Sequence, residues 1–203
     1  MPTVHTLTLG EFQTNTYIVT GNGKSCAIID PGFEPSTILA HVKALGLTVD
    51  AILLTHGHFD HVGGVEKIVS ATDCELWMSK ADWTIPGTHS NRYLYPLSNN
   101  TFADIFFFGE GQRVVAGGLQ FIVLATPGHT PGSVCFLCDD VLFTGDTLFA
   151  GSCGRTDLPG GDSKTLAASL KRLTLLEHPF TVYPGHGCAT MLQHEKRANP
   201  FLR

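Results

Sequence analysis

Residues 51–61 read Ala51-Ile-Leu-Leu-Thr-His-Gly-His-Phe-Asp-His61. The first four residues are an uninterrupted apolar run, which is typical of a short strand that is buried on both faces. Side chains of metal-ligand type follow at once. In an extended turn His56 and His58 project the same way and can chelate one ion. Asp60 and His61 begin the next helix and are displaced towards a second ion. The stretch therefore predicts a buried strand that ends at a metal site.

Three other strand ends carry a side chain of the same kind. Thr126-Pro-Gly-His129, Thr144-Gly-Asp146 and Pro184-Gly-His186 each follow a strand-like run. Polar site residues collect at strand ends in layered α/β folds. Imidazole and carboxylate groups suit zinc, iron or manganese. The candidate metal ligands are therefore His56, His58, Asp60, His61, His129, Asp146 and His186.

The remaining five histidines lack such a setting, and we expect them to be ordinary surface or core residues. They are His5, His41, His89, His178 and His194.

Apolar patterning predicts short strands in two blocks with helices at intervals. Such a chain is expected to form an α/β sandwich, with two sheets face to face and helices outside, as a single domain over residues 1–203. The aromatic stretch at residues 82–110 is the least regular part, and we interpret it as a helix-and-loop excursion. Its rings are expected to lie in the core, to line the pocket or to form a dimer interface. The predicted strands cover residues 4–9, 15–20, 25–30, 51–54, 74–78, 112–115, 119–125, 133–138, 141–144 and 180–183.

Composition excludes several classes of protein. The 203 residues are 43% hydrophobic and 15% charged, with 13 Lys+Arg against 18 Asp+Glu. No basic run is present, which argues against nucleic acid as a partner. No apolar run is long enough for a membrane span, and the N-terminus lacks the pattern of a signal peptide. We expect a cytoplasmic protein that acts on a small molecule; the oligomeric state is left open.

The six cysteines are too scattered for a disulfide framework. Cys135 and Cys138 form a C-x-x-C pair, but they lie on a predicted strand. Residues three apart on a strand point to opposite faces, so the pair is expected to be structural rather than redox-active or metal-binding.

The order of these motifs resembles the metallo-β-lactamase superfamily over essentially the whole chain, and Asp30-Pro31-Gly32 and Asn15-Thr16-Tyr17 also resemble its N-terminal signatures. The resemblance implies an αββα sandwich of two mixed sheets, with the metals at the sheet edges. It implies that one metal is bound by His56, His58 and His129. It further implies that a second metal is bound by Asp60, His61 and His186, that Asp146 bridges the two, and that Asp30 fixes the tautomer of a ligand histidine.

Within the superfamily, individual sequence positions narrow the choice between the activities of its member families. Asp146 stands where lactamases that open antibiotics usually carry Cys, and His58 stands where flavodiiron oxidoreductases carry Glu. The stretches Gly145–Phe149 and Cys153–Arg155 are similar to glyoxalase II, the hydroxyacylglutathione hydrolases, in which a basic residue at the Arg155 position contacts glutathione. The closing stretch Glu195–Phe201 resembles short bacterial glyoxalase II-like proteins. Two departures from the glyoxalase II pattern are expected to bear on glutathione recognition: no C-terminal helical domain is expected, and Asp157 stands where that family carries an aromatic residue.

The resemblance implies a thioesterase for S-2-hydroxyacyl substrates such as S-lactoylglutathione. It would use two divalent ions, with zinc as the expected metal and Asp60 as both ligand and hydrogen-bond acceptor. The main alternative is a persulfide dioxygenase that holds one iron on His56, His129 and Asp146. A lactonase or other ester hydrolase would need only a different pocket over the same metals. A binding protein without activity is the remaining class.

Overall fold

The computed structural model describes residues 1–83 and 105–202. A first sheet contains six strands in the order β1-β2-β3-β4-β5-β6. The pairs β1–β2 and β2–β3 are antiparallel, and the pairs from β3 to β6 are parallel. The sheet is therefore mixed. Its strands are β1 Thr3–Leu9, β2 Thr14–Thr20, β3 Ser25–Ile29, β4 Thr48–Leu53, β5 Glu75–Ser79 and β6 Ile105–Phe108.

A second sheet also contains six strands, in the order β14-β13-β10-β9-β8-β7. Only the β10–β13 pair in it is parallel. A two-stranded hairpin, β11 Leu148–Phe149 and β12 Ser152–Cys153, follows β10 along the chain. The strands of the second sheet are β7 Arg113–Ala116, β8 Leu119–Ala125, β9 Val134–Cys138, β10 Val141–Gly145, β13 Thr181–Pro184 and β14 Thr190–Met191.

The helices begin where the local sequence allows it. Pro35 occupies the first turn of its helix, where its missing N–H costs nothing. Asp162 caps another helix, because its side chain accepts a 2.7 Å hydrogen bond from the backbone N–H of Thr165. The helices are α1 Pro35–Ala44, α2 Phe59–Val62, α3 Val65–Thr72, α4 Lys80–Trp83, α5 Ser163–Thr174 and α6 Leu192–Ala198, and a 3₁₀ turn spans Pro200–Leu202.

Three apolar clusters show how the layers are stacked. One cluster fills the space between the sheets, where Val19 and Ala27 of the first sheet meet Phe136 of the second. A second cluster packs the other face of the first sheet against α1 and α3. A third packs the other face of the second sheet against α5 and α6. The order helix, sheet, sheet, helix confirms the predicted αββα sandwich of two mixed sheets.

The C-x-x-C pair lies as the strand pattern predicts. Cys135 belongs to the cluster under α5, whereas Cys138 belongs to the cluster between the sheets. Both thiols are buried and unpaired. The two sulfurs therefore face opposite sides of β9.

The interpretation of residues 82–110 as a helix-and-loop excursion was wrong at its C-terminal end. Residues 105–108 form β6, which pairs parallel to β5 and forms the edge of the first sheet. The four residues of β6 are Ile and Phe, which are types that favour strands, and the helix-and-loop interpretation overlooked this signal. Residues 84–104, with His89, lie outside the described part of the chain.

Among the described residues, no helix is both long and apolar enough to cross a membrane.

Truncation of Phe136 tests the packing between the sheets. The side chain is fully buried and lies edge-on to Phe108, with the ring centroids 5.5 Å apart. We expect Phe136→Ala to lower the free energy of unfolding by about 3–5 kcal/mol, because it leaves a cavity that the two sheets cannot close. Val115→Ala is the control, since Val115 is 70% exposed; it should change stability by no more than about 0.5 kcal/mol. Equal urea midpoints for both variants would contradict this.

Candidate metal centre

The ends of four strands from both sheets bring the predicted ligands together. His56 and His58 follow β4 of the first sheet, and α2 carries Asp60 and His61. His129, Asp146 and His186 follow β8, β10 and β13 of the second sheet. The four candidate ligand residues that follow β4 are each at most 8% exposed. The centre therefore depends on the packing of one sheet against the other.

The first group consists of His56, His58 and His129. Their candidate ligand atoms all lie within 4.8 Å of one another. Nε2 of His129 and Nδ1 of His58 are 2.8 Å apart. Three buried imidazoles thus converge on one point, which is the ligand set of many zinc sites.

The second group consists of Asp60, His61 and His186, whose candidate ligand atoms also lie within 4.8 Å of one another. Oδ2 of Asp60 is 3.3 Å from Nε2 of His186 and 3.5 Å from Nε2 of His61. The two ring nitrogens are 3.4 Å apart. This group adds a carboxylate to two imidazoles.

Asp146 lies between the two groups. Its Oδ1 is 3.4 Å from Nε2 of His61, and its Oδ2 is 3.5 Å from Nε2 of both His129 and His186. One carboxylate therefore faces ligand atoms of both groups, as a bridging ligand must.

Each ligand histidine apart from His58 has an oxygen acceptor beside its Nδ1. Oδ2 of Asp30 is 2.9 Å from Nδ1 of His61. The Thr55 hydroxyl donates to Asp30 at 2.6 Å, so its oxygen is left to accept from Nδ1 of His56 at 3.0 Å. Asp30 thus orients His61 directly and His56 through Thr55, and both rings present Nε2 to the centre.

Backbone carbonyls do the same for the other two rings. The carbonyl oxygen of Arg155 is 2.7 Å from Nδ1 of His129, and that of Phe12 is 3.1 Å from Nδ1 of His186. Both rings therefore also present Nε2 to the centre.

Unsatisfied atoms show that these residues fit metal ions. Within residues 1–83 and 105–202, the buried side-chain atoms without a hydrogen-bond partner are His56 Nε2, His58 Nε2 and Asp146 Oδ1. Burying a polar atom without a partner is costly, so native proteins rarely do it. All three belong to the candidate ligands. Ions bound at the two groups would offset this cost.

Two glycines allow the strand ends to approach one another. A Cβ on Gly185 would lie 2.2 Å from Oδ1 of Asp146, and one on Gly145 would lie 2.3 Å from the Thr55 hydroxyl. No real Cβ tolerates such contacts. The glycine before Asp146 and the one before His186 are therefore required by close packing at the centre.

Comparison with known proteins agrees with this geometry. The profile of the metallo-beta-lactamase superfamily matches residues 9–186. This chain belongs to that superfamily. It is 37% identical over 199 residues to hydroxyacylglutathione hydrolase GloC of Haemophilus influenzae, and the match covers 94% of this chain and 93% of GloC.

Solved structures of the superfamily are also similar over almost the whole chain. A protein called TTHA1623, solved in a di-iron-bound form, has a TM-score of 0.86 at 42% identity, covering 98% of this chain and 100% of that one. BLEG-1, a B3 metallo-beta-lactamase, has a TM-score of 0.86 at 35% identity, covering 98% and 99%. ETHE1 from Myxococcus xanthus has a TM-score of 0.81 at 31% identity, covering 98% and 83%. These proteins share the fold with this chain.

Histidines of the two candidate ligand groups differ in the direction in which their pKa values are shifted. Burial, followed by the neighbouring rings of His129 and His61, lowers the pKa of His58 to about 3. Burial and the surrounding histidines also lower the pKa of His56. For His61, burial acts in the same direction, but the carboxylates of Asp146, Asp30 and Asp60 outweigh it and raise the pKa to about 9. His56 and His58 of the first group are thus neutral at pH 7, whereas His61 of the second group is protonated in the metal-free protein.

His186 completes this contrast. Burial would lower its pKa, but hydrogen bonds to Asp146 and Asp60 outweigh burial and raise it to about 10. In turn His186 and His61 hold the pKa of Asp60 below its usual range, against the effect of burial. Asp60 is therefore ionised at neutral pH.

A pocket of about 590 Å³ opens over the centre. Phe12, Phe59 and Leu158 give it an apolar wall, and Arg155 also lines it. Nε and one terminal nitrogen of Arg155 each donate to Asp157 at 2.6 Å. The predicted substrate-binding residue is thus at the pocket, but it is already paired with a carboxylate.

Several residues of the site escaped sequence reasoning. Thr55 and Phe59 lie inside the quoted motif and could have been found there. Thr14, whose hydroxyl donates to Oδ2 of Asp60 at 3.1 Å, lies next to Asn15-Thr16-Tyr17 and could have been found with that signature. Phe12 acts partly through its carbonyl, which any residue type would supply, so it has no sequence signal.

The charge difference between the groups predicts proton release on metal binding. His61 and His186 are protonated below about pH 9 and about pH 10 in the metal-free protein, and both must lose a proton to bind an ion. Zinc affinity at the second group should therefore rise with pH towards this range, whereas His58 of the first group, with its pKa at about 3, has no proton to lose there.

Titration calorimetry in two buffers of different ionisation enthalpy measures the protons released at each binding step. We expect one binding step to release more protons at about pH 7 than the other, because that step includes His61 and His186. Two steps with the same pH dependence would contradict the assignment.

Proposed function

We propose that this protein is a metal-dependent hydrolase of S-2-hydroxyacyl thioesters, of which S-lactoylglutathione is the expected type. The observation that carries the proposal is the position of Asp146 between two His-rich groups at the floor of an open pocket. Similarity to a hydroxyacylglutathione hydrolase supports the choice of substrate class. Two divalent ions on these groups, with zinc as the expected metal, would bring the pKa of a bound water close to neutrality and polarise a carbonyl oxygen.

The chain itself would supply orientation and charge. His56, His58 and His129 would hold one ion, and Asp60, His61 and His186 the other, with Asp146 between them. Thr14 fixes Asp60 through its Oδ2. Asp60 is ionised and would accept a hydrogen bond from a water at the centre, which fixes the direction of that water towards the carbonyl carbon.

The pocket would position the substrate. Phe12, Phe59 and Leu158 can cover apolar parts of the thioester and keep bulk water away from the reacting carbonyl. The leaving group is a thiolate, whose conjugate acid has a pKa of about 8.5. It can therefore leave without being protonated by a strong general acid. The same site geometry would also accept an ester or lactone in a differently shaped pocket.

Thioester cleavage tests the proposal directly. We expect zinc-loaded protein to release thiol from S-lactoylglutathione, and we expect chelation followed by zinc addition to abolish and restore the rate. His129→Ala and His186→Ala should each lower kcat/KM by a factor on the order of 10³ or more, because each removes an ion ligand. Fully loaded protein without thioester cleavage, measured beside an active hydroxyacylglutathione hydrolase, would exclude this substrate class.

A persulfide dioxygenase is a second candidate, and one contact favours it. Oδ2 of Asp146 is 3.5 Å from Nε2 of His129, and His129 belongs to the same ligand group as His56. These three residues would offer iron two histidines and one carboxylate. Oxygen uptake by iron-loaded protein with glutathione persulfide, in the absence of thioester cleavage by any metal form, would favour the dioxygenase.

Arg155 is proposed to bind the anionic part of the thiol carrier. Arg155→Ala should raise KM for S-lactoylglutathione by about 5- to 30-fold and leave kcat within about threefold, since the guanidinium would bind ground state and transition state alike. Arg113→Ala is a matched control on β7, where the side chain is exposed outside the pocket. Equal KM values for Arg155→Ala and Arg113→Ala would contradict a role of Arg155 in substrate binding.

A further inference from the structure

Asp82 is a buried carboxylate that lies outside the two ligand groups. It belongs to the short helix α4, directly after β5, and only 4% of it is exposed. A buried carboxylate is costly unless it accepts several hydrogen bonds. Its partners therefore indicate why this residue stands here.

The carboxylate accepts three hydrogen bonds from two different loops. Oδ2 accepts from the backbone N–H of Gly57 at 2.8 Å and from the hydroxyl of Thr130 at 2.8 Å. Oδ1 accepts from the backbone N–H of Gly132 at 2.6 Å. Hydrogen bonds to an ionised acceptor are stronger than neutral ones, so these contacts fix the two loops firmly.

The positions of these donors in the chain connect them to the first ligand group. Gly57 is the residue between His56 and His58, and Thr130 directly follows His129. One loop continues from β4 of the first sheet and the other from β8 of the second. A single side chain thus joins the two loops that carry all three imidazoles of this group.

Close packing at Gly132 shows that the contact is tightly fitted. A Cβ on Gly132 would lie 2.4 Å from Oδ1 of Asp82 and 2.8 Å from its backbone nitrogen. The loop can approach the carboxylate only because residue 132 has no side chain. Small displacements of Asp82 would therefore move the loop after His129.

We propose that Asp82 is a positioning residue for the first metal: it sets the distance between the His56–His58 loop and the His129 loop and thereby the affinity of that group for an ion. The proposal rests on the metal-binding part of the proposed function. The second group is braced by other residues, among them Thr14 on Asp60 and Asp30 on His61.

Asp82→Asn tests this with almost no change in volume. In either amide orientation the NH₂ group must face a backbone N–H, of Gly57 or of Gly132, so at least one hydrogen bond becomes a repulsive contact. We expect the dissociation constant of the first ion to rise by about 10- to 100-fold, as for other residues that orient metal ligands. The constant of the second ion should stay within about threefold.

Thr14→Val is the matched control, because it removes one hydroxyl that contacts Asp60 of the second group. It should show the opposite selectivity and weaken the second ion only. Zinc titration of metal-free protein against a chromophoric chelator gives both constants. The ¹⁵N shifts of the imidazole nitrogens identify which rings bind at each step.

The outcomes separate the two proposals. If the wild-type protein takes up no pair of ions, the proposed function fails. If it takes up two and Asp82→Asn leaves both constants unchanged, or raises both equally, the positioning role fails, since a merely structural residue would act on both. If Asp82→Asn does not fold, Thr130→Val decides: a rise in the first constant alone supports the role, and unchanged constants in a folded variant overturn it.

Discussion

The carboxylate of Asp146 lies beside candidate ligand atoms of both groups at once, and several features near the centre follow from this close approach. Its oxygens lie 3.4–3.5 Å from ring nitrogens contributed by both sheets. Such an approach demands that strand ends of the two sheets meet with little backbone volume between them. Gly145 and Gly185 meet that demand, because any side chain there would overlap Thr55 or Asp146 itself. The apolar core between the sheets then keeps this arrangement fixed, since a shift of one sheet would separate the two halves of the site.

The signatures at the two ends of the chain brace ligand loops. Near the N-terminus, Nδ2 of Asn15 donates to the carbonyls of Pro184 and Gly187 and so holds the loop of His186 from both sides. Near the C-terminus, Glu195 accepts from the backbone of Gly151, and Asn199 donates to the carbonyl of Ser152. Both contacts fix the β11–β12 hairpin, which connects Asp146 to the Arg155 carbonyl that orients His129. The helix α6 thus acts on the centre through the backbone, although it supplies no ligand.

The sequence indicated which side chains come together at the centre better than it indicated the residues that surround them, and the reason is physical. Ligands must be imidazole or carboxylate, and they must follow apolar strands, so residue type and periodicity both mark them. The αββα architecture follows from the same strand pattern together with the family resemblance. The strand β6 was missed because its four residues, although of types that favour strands, are a short run without the alternation of apolar and polar residues that marks a strand. Asp82 was missed because its partners are mainly backbone amides, which leave no mark in a sequence.

The two ligand groups are electrically different, and this difference follows from what stands behind each ring. His56 and His129 face a hydroxyl and a carbonyl, which are neutral, and their group contains no carboxylate of its own. Nδ1 of His61 faces Oδ2 of the Asp30 side chain, and the group of His61 contains Asp60. Two divalent ions would therefore experience unequal fields, with the more negative surroundings at the second group. Asp146, whose oxygens face both groups, would share its charge between two bound ions and so reduce the repulsion between them. A water placed between ions in unequal fields would also have a preferred orientation. Asp60 belongs to the second group only, so a hydrogen bond from that water to Asp60 would fix its orientation.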